Sequence, residues 1–204
     1  MGQLIRRISF IAVCAMLLSL HAGPVNAATS AWQIDPAHTA AQFAVKHMMI
    51  STVRGEFKAV TGTITWDDSD VTKSSVNVTI DANTVNTGEP KRDGDLKSDH
   101  FFDVAEYPTL TFKSTKVEQA GAGKLRVTGD LTIRGVTKSV VLDVDGPSTS
   151  VKDPMGNTRS AISASTRINR QDFGVKWNAN MDGGGVVVGD DVNITIDLEM
   201  TKQK

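Results

Sequence analysis

Alternation of apolar and polar residues, repeated segment after segment, is the strongest constraint on what this chain can fold into. Ser75-Val76-Asn77-Val78-Thr79-Ile80-Asp81 carries it, as do the runs from Lys124 to Ile133 and from Asp191 to Met200. Successive side chains of a strand point to opposite faces, so each segment has one apolar and one wetted side. Val, Ile and Thr make up roughly a quarter of the chain beyond residue 27, the composition of a pleated, half-buried surface. Many such strands in series bury their apolar faces by curling the sheet around them. A closed sheet of about eight strands encloses a lumen that either fills with side chains or holds one small ligand.

Turn chemistry separates the segments at the spacing of a barrel or sandwich. Asp35-Pro36 divides Trp32 to Ile34 from Thr39 to His47. Gly55 to Trp66 reads as one long strand with a bulge or bend at Gly62. A polar turn, Asp67-Asp68-Ser69-Asp70, leads into Ser74 to Asp81. Thr109 to Glu118 and Lys124 to Ile133 read as a hairpin around the loop Ala120-Gly121-Ala122-Gly123. Ser139 to Asp145, Ser160 to Ile168 and the final strand follow, the last introduced by Asp182-Gly183-Gly184-Gly185. One segment departs from the pattern. Asn83 to Tyr107 is rich in charge and has no two-residue period; residues 89 to 98 are expected to form a short helix, with Phe101-Phe102 serving a lid or a plug. The expected fold class is all-β: an extended antiparallel β-barrel of about eight strands, with a helix and loop excursion near residues 89–102.

The N-terminus has the three parts of an export signal: Arg6 and Arg7, the apolar run Ile8 to Leu20, and small residues at Val25-Asn26-Ala27. Residues 1–27 are read as a signal peptide, and 28–204 as a single domain of roughly 175 residues. The apolar run is short for a membrane span, and nothing after Leu20 approaches that length. Cys14, the only cysteine, falls inside the signal, so the exported chain relies on its core and not on disulfides. The formal net charge is −1 with both signs dispersed, which excludes a nucleic-acid footprint.

Catalytic constellations are poor. His38, His47 and His100 match no metal-binding spacing, there is no Gly-x-Ser-x-Gly elbow, and no cysteine remains as a nucleophile. Asp67, Asp68 and Asp70 resemble part of a calcium loop without its terminal glutamate. No catalytic residue, metal site or cofactor is assigned.

Several motifs resemble the YceI-like family. They are Ile34-Asp35-Pro36-Ala37-His38-Thr39, Val45-Lys46-His47-Met48 with Ile50 to Phe57, and Arg92-Asp93-Gly94-Asp95-Leu96-Lys97-Ser98 with Phe101-Phe102-Asp103-Val104. Gly129 to Thr137 and Ile168-Asn169-Arg170-Gln171-Asp172-Phe173-Gly174 complete the set, in order along nearly the whole exported chain. The resemblance implies a lipocalin-like barrel that binds a long isoprenoid or similar lipid in its lumen, in the periplasm, without enzymatic activity. A homodimer is compatible with it.

The expected lumen contacts are Phe43, Val45, Phe57, Phe101 and Phe102, together with Phe112, Leu131, Ile133 and Phe173. For a charged head group, His47, Arg54 and Arg92 lie at strand ends or in the irregular segment, and a guanidinium fork suits phosphate oxygens. The alternative for Arg92 is that it pairs locally and pins its loop. A tail of roughly twenty carbons would contribute about 10 kcal/mol gross on burial. Ordering the tail and immobilising the ligand cancel much of that.

Overall fold

The two-residue period produces strands wherever it occurs. The computed structural model describes residues 29–204, so the expected export signal and Cys14 lie outside the described residues. The strands are β1 (Thr29–Ile34), β2 (Ala40–His47), β3 (Ser51–Phe57), β4 (Val60–Asp67), β5 (Ser75–Asp81), β6 (Thr109–Gly121), β7 (Lys124–Ile133), β8 (Val136–Asp145), β9 (Val151–Lys152), β10 (Thr158–Asn169) and β11 (Val188–Lys202). One helix, α1 (Pro90–Lys97), stands between β5 and β6. Its N-terminus is capped by Glu89, whose carboxylate accepts from the amides of Lys91 and Arg92, with Pro90 opening the first turn.

Two pairs of strands each serve as one wall element. β1 and β2 both run antiparallel to β11, β1 along Met200 to Lys202 and β2 along Val188 to Asp197. β3 and β4 continue one another across a kink at Lys58-Ala59, where Ala59 adopts φ 54°. The ring then reads β1/β2, β3/β4, β5, β6, β7, β8, β10, β11, and the long pairing of β10 with β11 closes an eight-position antiparallel barrel. The sequence expectation of a single strand from Gly55 to Trp66 is corrected here, because the left-handed residue at Ala59 breaks the ladder. Gly62 does mark a close approach: a Cβ there would lie 2.1 Å from the backbone oxygen of Asn77. The β6–β7 loop is also shorter than expected, since β6 runs on to Gly121 and only Ala122 and Gly123 remain outside the strands.

The corner between β1 and β2 is fastened to the closing strand by charge. Asp35 caps the short turn Pro36–His38 through the Ala37 amide (3.0 Å), and its own amide donates to the Glu199 carbonyl (2.9 Å). Arg159, on β10, reaches across: Nη1 donates to Asp35 Oδ2 and to Glu199 Oε1, both at 2.6 Å, and Nε donates to Asp153 Oδ2 at 2.8 Å. One guanidinium thus joins β10, β11, the β1–β2 corner and the loop after β9. Arg159, then His38, holds the Asp35 carboxyl down to about 2. Arg159, then Asn157, holds Asp153 well below the ordinary carboxylate range.

Both carboxyls bind protons more weakly folded than unfolded. The stability they contribute is therefore complete above about pH 4 and is lost as pH falls through their folded values, near pH 2 for Asp35. Arg159→Met is expected to lower the urea midpoint at neutral pH, because it leaves Asp35, Asp153 and Glu199 without their shared partner. It should also flatten the fall in stability between about pH 4 and 2 that the parent shows. Urea unfolding at neutral and acid pH checks both.

Candidate ligand-binding cavity

The inward faces of the barrel do not fill it. They surround one apolar cavity of about 240 Å³, larger than the roughly 150 Å³ engineered cavity that admits benzene. The buried core accordingly splits in two. One cluster gathers Phe57, Phe101, Ile133 and Phe173 at the end where α1 sits, and the other gathers Phe112, Val117, Leu125, Val127, Leu142 and Val144 toward the opposite end. On β7 the lining residues run from Leu125 to Ile133, roughly 26 Å along the strand and roughly 20 Å along the barrel axis after the usual tilt.

Alternation assigns the lining. Val76, Val78 and Ile80 of β5 face in, as do Leu125, Val127, Leu131 and Ile133 of β7, Val140, Leu142 and Val144 of β8, and Val192, Ile194, Ile196 and Leu198 of β11. Only Gln42, Ser74, Ser75, Thr111, Thr166 and Arg170 in the lining carry polar side chains, Trp66 aside, whose indole N–H donates to Asp68 Oδ1 (2.9 Å). Arg170 is the sole titratable residue of the lining, and its guanidinium is fully engaged. Nε donates to the Gly189 carbonyl (2.9 Å) and Nη1 to those of Val175 (2.6 Å) and Trp177 (2.9 Å). Nη2 donates to the Val188 carbonyl and to Asp190 Oδ1, both at 3.3 Å. The Val188 and Gly189 carbonyls lie where the β11–β2 register shifts, between Val188 and Val192, and those of Val175 and Trp177 lie in the irregular chain before β11. Burial pushes the Arg170 guanidinium below its ordinary value while Asp190 opposes the shift. Arg170 is therefore a clamp on the irregular chain, with no donor left over for a ligand.

Aromatic rings cover the end that bears α1. Phe43 packs against Phe57 (centroids 5.7 Å), Phe57 meets Phe102 edge-on (5.3 Å), and Phe101 lies 5.4 Å from Trp177. His100 stacks on Trp177 at 6.1 Å and bonds Asp95 through Nδ1 (2.9 Å). The segment that breaks the strand pattern thus supplies the cover, with Leu96, Phe101 and Phe102 reaching the cavity.

All nine residues expected in the lumen line this cavity: Phe43, Val45, Phe57, Phe101, Phe102, Phe112, Leu131, Ile133 and Phe173. None of the three expected head-group residues does. Arg54 is exposed and alternates with Val53 and Gly55, so it stands on the outer face. Arg92 is committed to Thr87, donating from Nε to Oγ1 (2.7 Å) and from Nη2 to the carbonyl (3.0 Å). It pins its loop, though through Thr87 and not through a neighbouring carboxylate. His47 ends β2, two residues beyond Val45 on the same face. Sequence reading missed Arg170, although the period that places Ile168 inward also places Arg170 inward. It missed Trp66 as well, although the alternation that places Val60 and Ile64 inward also places Trp66 inward, and it missed Trp177, which lies in no alternating run.

The histidines do not converge. His38 bonds Asp35 (3.0 Å) at the far end of β2 from His47, and His100 bonds Asp95. Asp35, His38 and Glu199 do come together within 4.8 Å, but both carboxylates are already paired with Arg159.

A closed antiparallel barrel around an apolar cavity is the lipocalin-like class of architecture. Residues 32–200 match the YceI-like domain, and the chain belongs to the YceI-like family. It is 35% identical over 154 residues to a UPF0312 protein of Vibrio parahaemolyticus, covering 74% of this chain and 81% of that one. A Vibrio vulnificus UPF0312 protein is 33% identical over 169 residues, covering 83% and 89%. The crystal structure of the Campylobacter jejuni YceI protein superposes with TM-score 0.66 at 32% identity, over 78% of this chain and 90% of that one. BcnA of Burkholderia cenocepacia gives TM-score 0.69 at 26% identity, over 81% and 98%. A polyisoprenoid binding domain from Saccharophagus degradans shares the fold at TM-score 0.60 and 18% identity, over 85% and 99%.

The vacancy has a mechanical signature. Val127→Phe places a ring in free space and is expected to change stability by less than about 1 kcal/mol, where the same enlargement in a filled core costs about 1–3 kcal/mol. Gly129→Ala adds only a methyl, but its Cβ would lie 2.4 Å from Phe112 Cζ and 2.6 Å from the Lys113 oxygen. It should cost about 2 kcal/mol or more. Denaturant unfolding of both variants checks the order.

Proposed function

We propose that this chain is an exported, non-catalytic binding protein that holds the tail of a long isoprenoid or similar amphiphilic lipid inside its barrel, carrying or sequestering it in the periplasm. The observation that carries the reading is the cavity itself, about 240 Å³ and lined almost wholly by carbon. A lining whose only titratable side chain is a fully bonded arginine offers no acid or base to activate its serine and threonine hydroxyls, which supports binding without turnover. The polyisoprenoid binding domain of Saccharophagus degradans has the same fold, and the export signal of residues 1–27 supports the compartment. Bound lipid is the one ligand in this reading, with no metal or further cofactor. For the head group, the geometry favours His47 on the inward side of β2 over Arg54 on the outer face and Arg92 on Thr87.

Protein purified from its native periplasm is expected to release a long-chain lipid on denaturing extraction, identified by mass spectrometry. Val127→Phe should weaken binding of a long-tail fluorescent probe about tenfold or more while leaving the fold intact, because it narrows the channel at the Val127 level. An unaltered probe affinity, together with no extractable lipid from the parent, would overturn the reading.

A further inference from the structure

The tip of the β2–β3 hairpin is built in a way that protein stability alone does not favour. Met48, Met49 and Ile50 form it, with relative exposures of 41%, 57% and 82%. Met48 and Met49 both adopt positive φ, 51° and 62°, in a turn closed by the Ile50 amide on the His47 carbonyl (3.2 Å). Hairpin turns with two left-handed residues favour Asn and Gly, and a bulky side chain there is strained. The tip therefore carries two disadvantages at once, an unfavourable backbone and apolar surface in water. Such a combination points from structure to an external function.

The surroundings specify the partner. The Met48 amide donates to the Val187 carbonyl (2.8 Å), and Met49 borders Gly185 and Met181, so the tip is propped against the loop 181–187 and not loose. Behind it, Lys46 and Arg54 are exposed on the outer faces of the two hairpin strands, and neither pairs with a carboxylate among the described residues. Asp182 is the acidic neighbour in the propping loop. Three protruding apolar side chains backed by two unpaired cations match a bilayer with anionic head groups: apolar side chains enter the interfacial layer while the cations remain among the phosphates. Methionine suits such a disordered partner because its chain is flexible and polarizable. The hairpin also projects from the barrel end that carries α1 and the aromatic cover.

We propose that Met48-Met49-Ile50 is a membrane-docking tip, inserting into the interface of an anionic bilayer and seating the covered end of the barrel on the lipid surface. The proposal goes beyond cavity binding and does not require that the cavity be filled.

The test uses the exported chain and vesicles of phosphatidylethanolamine with phosphatidylglycerol, read by flotation. The triple variant Met48→Asn, Met49→Gly, Ile50→Ser replaces the tip with residues that favour its backbone, so it is expected to fold at least as stably as the parent. Vesicle partitioning should fall by about tenfold or more, while affinity for a long-tail fluorescent probe in the cavity stays unchanged. The parent should bind anionic vesicles better than purely zwitterionic ones, and added salt should narrow that difference. Equal partitioning of parent and variant, or no partitioning of the parent, would overturn the proposal. So would sedimentation showing that the tip joins two copies of the chain and that the variant loses only that association. Loss of probe binding in the parent would count against the cavity reading alone.

Discussion

The register of β11 is the constraint on which the rest depends. Its fifteen residues pair with β10 along one edge and with β2 and β1 along the other, so a single strand closes the ring. A slip of one residue would turn Val192, Ile194, Ile196 and Leu198 outward and bring Asn193, Thr195, Asp197 and Glu199 inside. The two partly or wholly buried arginines prevent this from opposite ends. Arg170 holds the carbonyls of Val188 and Gly189 at the bulge, and Arg159 binds Glu199 to Asp35 near the other terminus. Arg170 lines the cavity with every guanidinium donor already engaged, and Arg159 is not among the lining residues. Their effect on the cavity runs through the strand they keep in register.

Hollowness follows from where bulk is placed. Mid-barrel inward positions carry Val, Leu and Ile, while most of the aromatic lining sits at the covered end: Phe43, Phe57, Phe101, Phe102 and Phe173. Two of the lining rings are laid against the wall. Phe43 lies over Gly55 and Phe112 over Gly129, each so close that a Cβ on the glycine would come within 2.4 Å of the ring. A side chain at either glycine would push its ring toward the axis and narrow the channel. The glycines of these strands therefore act on cavity shape, an effect separate from backbone flexibility.

Much of this was legible in the chain because a barrel wall obeys a period of two. That rule alone places the inward residues of β5, β7, β8 and β11, and it failed only where the backbone left the pleat. The break at Ala59 was invisible because nothing in alanine signals a left-handed φ. β3 went unread for a related reason: Met48 and Met49 are poor turn formers, so the hairpin they close carried no turn chemistry. The head-group arginines were chosen for their chemistry at strand ends, yet side-chain direction decides access. Arg54 faces outward by alternation, and the Arg92 fork is filled by Thr87. Long-range partners of this kind have no local pattern to read.

A lining so poor in polar groups has a consequence for selectivity. Hydrogen-bonding sites discriminate by leaving a polar group unpaired when the wrong ligand binds, and this cavity has almost no such group to leave. Discrimination inside it rests on length and cross-section. Each added methylene contributes about 0.8 kcal/mol on burial, reduced by the ordering of the chain. Affinity should then climb with tail length until the tail outgrows the roughly 20 Å between the two ends of the lining and fall for tails too broad to pass the Val127 level. In the proposed reading, head-group chemistry enters at the rim near His47, so tails are selected firmly as a class and a particular head weakly.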